Sequence, residues 1–121
     1  MFSGKKLGKS IKYSLQGLSY IIEREQNFRI QLIISVVTLF FSFYFRISRY
    51  EWIVIILMIT AVLILEIVNS ALEQLVDIMK PRLHGHVRLV KDMLAGAVFV
   101  TALCSIIIGL MIFYPHIVEI F

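Results

Sequence analysis

Three uncharged stretches, residues 32–45, 52–65 and 93–113, decide what this chain can fold into. In hydrocarbon a backbone must satisfy its own N–H and C=O groups, so an apolar segment that crosses a bilayer must be a helix or a strand of a closed barrel. Residues 93–113 are long enough to span alone, because about 20 helical residues rise about 30 Å. The two shorter runs span only with their flanks, where Arg29 and Arg46 can snorkel to the interface. Of 121 residues, 60% are hydrophobic and 17% charged, which leaves no polar surface for a separate soluble module. The expected fold is therefore an all-α membrane protein of one domain. It has an N-terminal amphipathic surface helix at about 5–25 and three transmembrane helices at about 28–46, 52–78 and 93–114.

The surface helix follows from periodicity. Leu7, Ile11, Leu15, Leu18, Ile21 and Ile22 share one side, while Lys5, Lys9, Lys12, Gln16 and Glu23 take the other. Such a helix lies along a membrane surface with its lysines toward headgroups or water, and no apolar signal-peptide core follows at the right distance. If the helix runs on unbroken, Glu25 falls on its apolar side with Arg29 close by. Glu25 is then either a site residue or part of a solvated elbow before the first span. Gly4-Lys5-Lys6-Leu7-Gly8-Lys9-Ser10 imitates a phosphate-binding loop. It has three residues between the glycines where that motif needs four, and no strand to deliver it.

The short linker around Arg46 and Arg49 requires a tight return into the second span, with Trp52 as an interfacial anchor. That helix ends at Met79-Lys80-Pro81, since proline cannot continue the hydrogen-bonding pattern. In the third span Ala97, Thr101, Ser105 and Gly109 recur every four residues, a face fit either for packing within the chain or for a subunit interface. His84 and His86 lack a third ligand of similar softness, and the lone Cys104 sits in an apolar run, so neither points to a metal or a disulfide.

Charge sets the orientation. Six Lys and Arg lie at or before Arg29 and four more in the loop 80–91, against Arg46 and Arg49 in the first linker and none after the third span. The positive-inside rule then places the N-terminus and the second loop in the cytoplasm and the C-terminus outside. The formal charge of +4 speaks of this topology and not of nucleic acid.

Chemistry concentrates on one face of the second span. At 100° per residue, Glu66, Asn69, Ser70, Glu73 and Asp77 fall within an arc of about 100°. Residues 52–65 rise about 21 Å, so Glu66 arrives where a tilted helix leaves the hydrocarbon and the rest of the face projects into water. Acids at such a depth are costly and mark function. With Lys91 and Asp92 at the mouth of the third helix, this face suits magnesium and phosphate. Glu73 with Glu25 can hold a hard cation against ATP phosphates, Lys91 can neutralise phosphate charge, and Glu66 is placed to deprotonate a lipid hydroxyl.

The pattern Glu66-x-x-Asn69-x-x-x-Glu73-x-x-x-Asp77, then Lys91-Asp92-x-x-Ala95-Gly96-Ala97, resembles the bacterial integral-membrane lipid kinases, the small diacylglycerol kinase and undecaprenol kinase group. Gly17, Glu25, Phe28, Arg29 and His84 keep that family's spacing, and Ala95-Gly96-Ala97 favours the undecaprenol kinases. Gly85 and Leu89-Val90 depart from the pattern without removing a proposed catalytic group. The resemblance implies a homotrimer with active sites shared between neighbours, an ATP- and Mg²⁺-dependent kinase acting on a membrane lipid alcohol. It implies Glu66 as catalytic base, Glu25 and Glu73 at the metal and ATP phosphates, and Asn69, Asp77, Lys91 and Asp92 in the nucleotide site. The competing class, a small proton- or cation-coupled transporter or channel subunit, requires an acid near midspan, and the first and third spans have none.

Overall fold

A computed structural model describes residues 3–79 and 84–121, except the side chain of residue 84. Four α-helices follow one another: α1 (Gly4–Arg24), α2 (Gln26–Tyr44), α3 (Arg49–Ile78) and α4 (Val87–Ile120), with a 3₁₀ turn His84–His86 leading into α4. No strand occurs among the described residues. Helices α2, α3 and α4 are each long and apolar enough to cross a membrane. The protein is an integral membrane protein with an all-α fold. Pro81 and the bases Lys80 and Arg82, expected to end the second span, lie outside the described residues; α3 itself ends at Ile78 with Met79 as its cap.

The helices pack along a sparse seam. The buried residues of α2 are Phe28, Ser35 and Ser42, spaced by seven, and α3 buries Ile55, Val62 and Val76 in the same register, together with Glu66 and Ser70. Small side chains on such a seam let helix backbones approach closely in lipid, where no hydrophobic force drives association. Ser42, fully buried, gives its hydroxyl to the Thr38 carbonyl at 2.8 Å, so the close approach leaves no polar group stranded. Ser105 and Gly109 of α4 face inward and line a cavity of about 330 Å³ with Ser35 and Val62, which assigns that part of the small-residue face to packing within the chain. Most remaining apolar side chains of these helices, such as Phe40, Phe99 and Leu110, are exposed, as a lipid-facing surface requires.

The turn between α2 and α3 is tightly specified. Arg46 adopts φ 51°, the left-handed conformation, just past the end of α2. Its N–H bonds the Phe43 carbonyl and that of Ile47 the Ser42 carbonyl, both at 3.3 Å, a Schellman closure with Ile47 buried behind it. Ser48 then starts α3 with a capping box: its hydroxyl accepts from the Glu51 N–H at 3.2 Å and Glu51 Oε1 accepts from the Ser48 N–H at 3.0 Å. Glu51 also meets His116 Nε2 at 3.2 Å, which fastens the start of α3 to the end of α4. Phe113 reaches Phe45 in the same corner, ring centres 5.9 Å apart. Helix α4 continues through Pro115 to Ile120, past the expected end of the span.

Arg46 holds a conformation that costs a residue with a Cβ about 1–2 kcal/mol. Glycine's larger unfolded-state entropy takes back about 0.5–1 kcal/mol of any relief. Arg46→Gly should therefore stabilise the protein by about 1 kcal/mol, seen as a higher melting temperature in detergent micelles. An unchanged or lower value would contradict this reading of the turn.

Candidate functional site

The site starts from the polar end of α3. Along its acidic arc, Glu66 and Ser70 are buried, Asn69 and Glu73 half-buried and Asp77 exposed, so the arc opens toward its C-terminal end. Glu66 is only 5% exposed, and no cation pairs with it among the described residues. The charges that act on it are two other carboxylates, Glu25 and Glu73. Val76, which the helical wheel sets off the acidic arc, is buried beside its edge.

Glu25 reaches this place by a break in the chain, not by the continuous helix that would have set it on the apolar side of α1. It stands alone between α1 and α2 in extended conformation, φ −107° and ψ 107°. Its backbone is used on both sides: its N–H bonds the Ile21 carbonyl at 2.8 Å, and its carbonyl accepts from Arg29 N–H at 3.2 Å. Its carboxylate caps neither helix and stays free for another partner. The break is supported by Arg29, whose Nη1 donates to the Ile22 and Glu23 carbonyls at 2.9 and 2.8 Å. Those are orphan acceptors at the negative end of α1, and a guanidinium there satisfies both the hydrogen bonds and the helix dipole. Arg29 is thus a helix cap and not the ion-pair partner of Glu25. Arg24 lies over the Tyr20 ring, 5.0 Å from its centre, so the elbow residues are engaged and not merely solvated.

Tyr20 also ties α1 to the site, since its hydroxyl accepts from Gln74 Nε2 at 3.0 Å, one residue beyond Glu73. From the other side, Lys91 in the second turn of α4 forms an ion pair with Asp77. Because α4 begins at Val87, Lys91 and Asp92 stand inside a helix and not in a loop at its mouth. Asp92 is exposed and makes no ion pair among the described residues. The structure thus brings Glu25 and Glu73 within electrostatic range of Glu66, joins Asp77 to Lys91, and leaves Asp92 without an ion pair among the described residues. The glycines of the loop-like segment near the N-terminus lie in α1, with Ser3 as the cap, so that segment forms no phosphate cradle.

Oxygen donors dominate this gathering. Asn69 Oδ1 is buried with no hydrogen-bond partner, an acceptor of the kind that needs a donor or a cation to complete it. The carboxylates of Glu25 and Glu73, each within electrostatic range of Glu66, are donors of the kind a hard cation prefers. No group of three or more His, Cys, Asp or Glu side chains placed to hold a metal ion occurs among the described residues. A donor set that small suits Mg²⁺, which takes one or two carboxylates and completes its shell with water and phosphate. The break at Glu25, the cap from Arg29 and the Tyr20–Gln74 bond had no sequence signal, as neither Gly nor Pro marks the elbow.

With this geometry in place, the comparisons are specific. The profile of the prokaryotic diacylglycerol kinases matches residues 12–113. The chain is 36% identical over 107 residues to undecaprenol kinase of Bacillus subtilis, covering 88% of this chain and 87% of that protein. It is 32% identical over 101 residues to diacylglycerol kinase of Synechocystis sp., covering 83% of this chain and 58% of the relative. Against diacylglycerol kinase of Haemophilus influenzae it is 33% identical over 97 residues, 80% of this chain and 81% of the other. No solved structure matches it. The chain belongs to the prokaryotic diacylglycerol kinase family and is, like the family, an integral-membrane lipid kinase.

Proposed function

We propose that this protein transfers the γ-phosphoryl group of ATP to the primary hydroxyl of a membrane lipid alcohol, undecaprenol ahead of diacylglycerol, at the cytoplasmic face of a bacterial inner membrane. The observation that carries the reading is Glu66: a buried carboxylate with no counter-ion among the described residues, one turn from half-buried Asn69 and two turns from half-buried Glu73. A lipid hydroxyl reaches that depth without leaving the bilayer, whereas a nucleotide enters from the water side. Support for undecaprenol comes from the Bacillus subtilis relative of that name, which this chain covers almost end to end.

The residues divide the work by depth. Glu66 accepts the proton of the lipid hydroxyl. Glu25 and Glu73 would hold Mg²⁺, which when bound would supply charge neutralisation for phosphoryl transfer. Asn69 Oδ1 completes the polar lining, and Asp77 orients Lys91 toward the phosphates. Asp92, exposed on α4, belongs to the nucleotide site of the assembled homotrimer, where neighbours share active sites. The base distribution supports a cytoplasmic N-terminus and an external C-terminus. The transporter alternative has no support, since Glu66 lies toward the polar end of α3 and the apolar cores of α2 and α4 contain no acid.

Two outcomes check this reading. Glu66→Gln should bind a nonhydrolysable ATP analogue with near-normal affinity while transfer falls about 10²–10⁴-fold, the scale of a lost general base. Glu73→Gln should lose nucleotide binding as well, so full turnover in Glu66→Gln, or equal loss of binding in both, would remove the base assignment. In a Cys104→Ser background, a cysteine placed at His86 should resist impermeant reagents in intact cells, and a reporter after Phe121 should lie outside. The opposite labelling would deny the site access to cytoplasmic ATP.

A further inference from the structure

Serine and threonine side chains in the three membrane helices follow one rule with one exception among the described residues. Ser35, Thr38, Ser42, Thr60, Thr101 and Ser105 each donate to the carbonyl four residues back, at 2.7–3.0 Å. That back-bond is the usual fate of a hydroxyl in lipid, where no water can take the donor. Ser70 is the exception. It is only 5% exposed, yet it makes no such bond, and the carbonyl it leaves unused is that of Glu66. On the helical wheel it stands on the Glu66 ridge, one turn toward water, between Glu66 and Glu73. Its neighbour Asn69 carries the buried, unpartnered Oδ1. A buried acceptor left open, Asn69 Oδ1, and a hydroxyl that makes no back-bond among the described residues therefore stand next to each other in sequence beside the proposed base, and a buried polar group left open costs free energy unless a ligand closes it.

We infer that Ser70 is a further substrate-contacting residue: its hydroxyl donates to the oxygen of the lipid alcohol while Glu66 takes that oxygen's proton. The inference rests on the lipid-kinase reading of the same site and adds a second contact to the acceptor. In the step, the lipid O–H bond breaks with its proton passing to the Glu66 carboxylate. The lipid oxygen forms the new O–P bond, and the bond from the γ-phosphorus to the bridging oxygen breaks with its electron pair leaving on ADP. Ser70 keeps its own proton throughout. Its contribution is orientation: with one lone pair of the acceptor oxygen held by Ser70 and the proton held by Glu66, the remaining lone pair has a fixed direction toward phosphorus. An alanine has nearly the same volume and a higher helix propensity, so the packing of the seam does not require the hydroxyl.

The test compares the full-length protein with Ser70→Ala, Ser70→Cys and Ser35→Ala in mixed micelles, titrating undecaprenol and diacylglycerol at saturating Mg·ATP. Ser70→Ala should lower kcat/KM for the lipid about tenfold, the scale of one neutral hydrogen bond, with KM for ATP and melting temperature unchanged. Ser70→Cys, similar in shape but a weak donor, should fall between Ser70→Ala and wild type. Ser35→Ala, which removes a back-bonded hydroxyl on the same bundle, should match wild type. Wild-type kinetics in Ser70→Ala would overturn the inference, as would a loss that extends to KM for ATP or to thermal stability. If the wild-type protein phosphorylates neither lipid, the kinase reading fails and this inference falls with it; if wild type is active and Ser70→Ala equals it, only the Ser70 contact is wrong.

Discussion

A carboxylate buried in an apolar bundle, with no counter-charge among the described residues, is the constraint on which the rest of this structure depends. Removing an ionised group from water costs several kcal/mol even after relaxation, and among the described residues the charges that act on Glu66 are the like charges of Glu25 and Glu73. A chain under no functional demand would place an apolar residue there at lower cost. What compensates is position: Glu66 stands at the deep end of the polar arc of α3, whose far end, through half-buried Glu73 to exposed Asp77, opens to solvent. The site is a gradient of depth built on a single helix face.

Everything else holds that face in place. At its polar end α1 is brought back against α3 by the Tyr20–Gln74 bond, and Arg29 seals the end of α1 so that Glu25 can leave helical geometry with its carboxylate unspent. Lys91 approaches from α4 through Asp77. At the opposite end the bundle is braced without any of these residues, by the Schellman turn at Arg46, the Ser48–Glu51 capping box and the Glu51–His116 contact. The two ends divide the labour. Local hydrogen bonding fixes the α2–α3 turn, while side chains from three helices converge at the site.

Most of the fold was legible because its signals are physical and local. Uncharged runs of 14 to 21 residues admit little besides membrane helices, and the i, i+3, i+4 spacing of Glu66, Asn69, Ser70 and Glu73 put them on one face before any coordinates were needed. Glu25 was harder. The elbow carries neither Gly nor Pro, and the break exists because Arg29, five residues past Arg24, turns back onto carbonyls that periodicity cannot see. Lys91 and Asp92 were taken for the mouth of a helix because the apolar run begins at Met93, but the helix starts at Val87, ahead of its apolar part. The capping box was present in the sequence as Ser48-x-x-Glu51, and its other function, the reach of Glu51 to His116, was not, since a contact across 65 residues has no local signature.

The central claim is that this site moves phosphate from a nucleotide in water to an alcohol in the bilayer. The most direct measurement is transfer of label from γ-labelled ATP into organic-extractable lipid by the purified protein, with and without Mg²⁺, supplying undecaprenol and diacylglycerol in separate micelles. The account predicts Mg²⁺-dependent labelling of a lipid monophosphate, faster with undecaprenol. Label that stays wholly in the aqueous phase with both lipids, while the protein is folded and binds ATP, would contradict it.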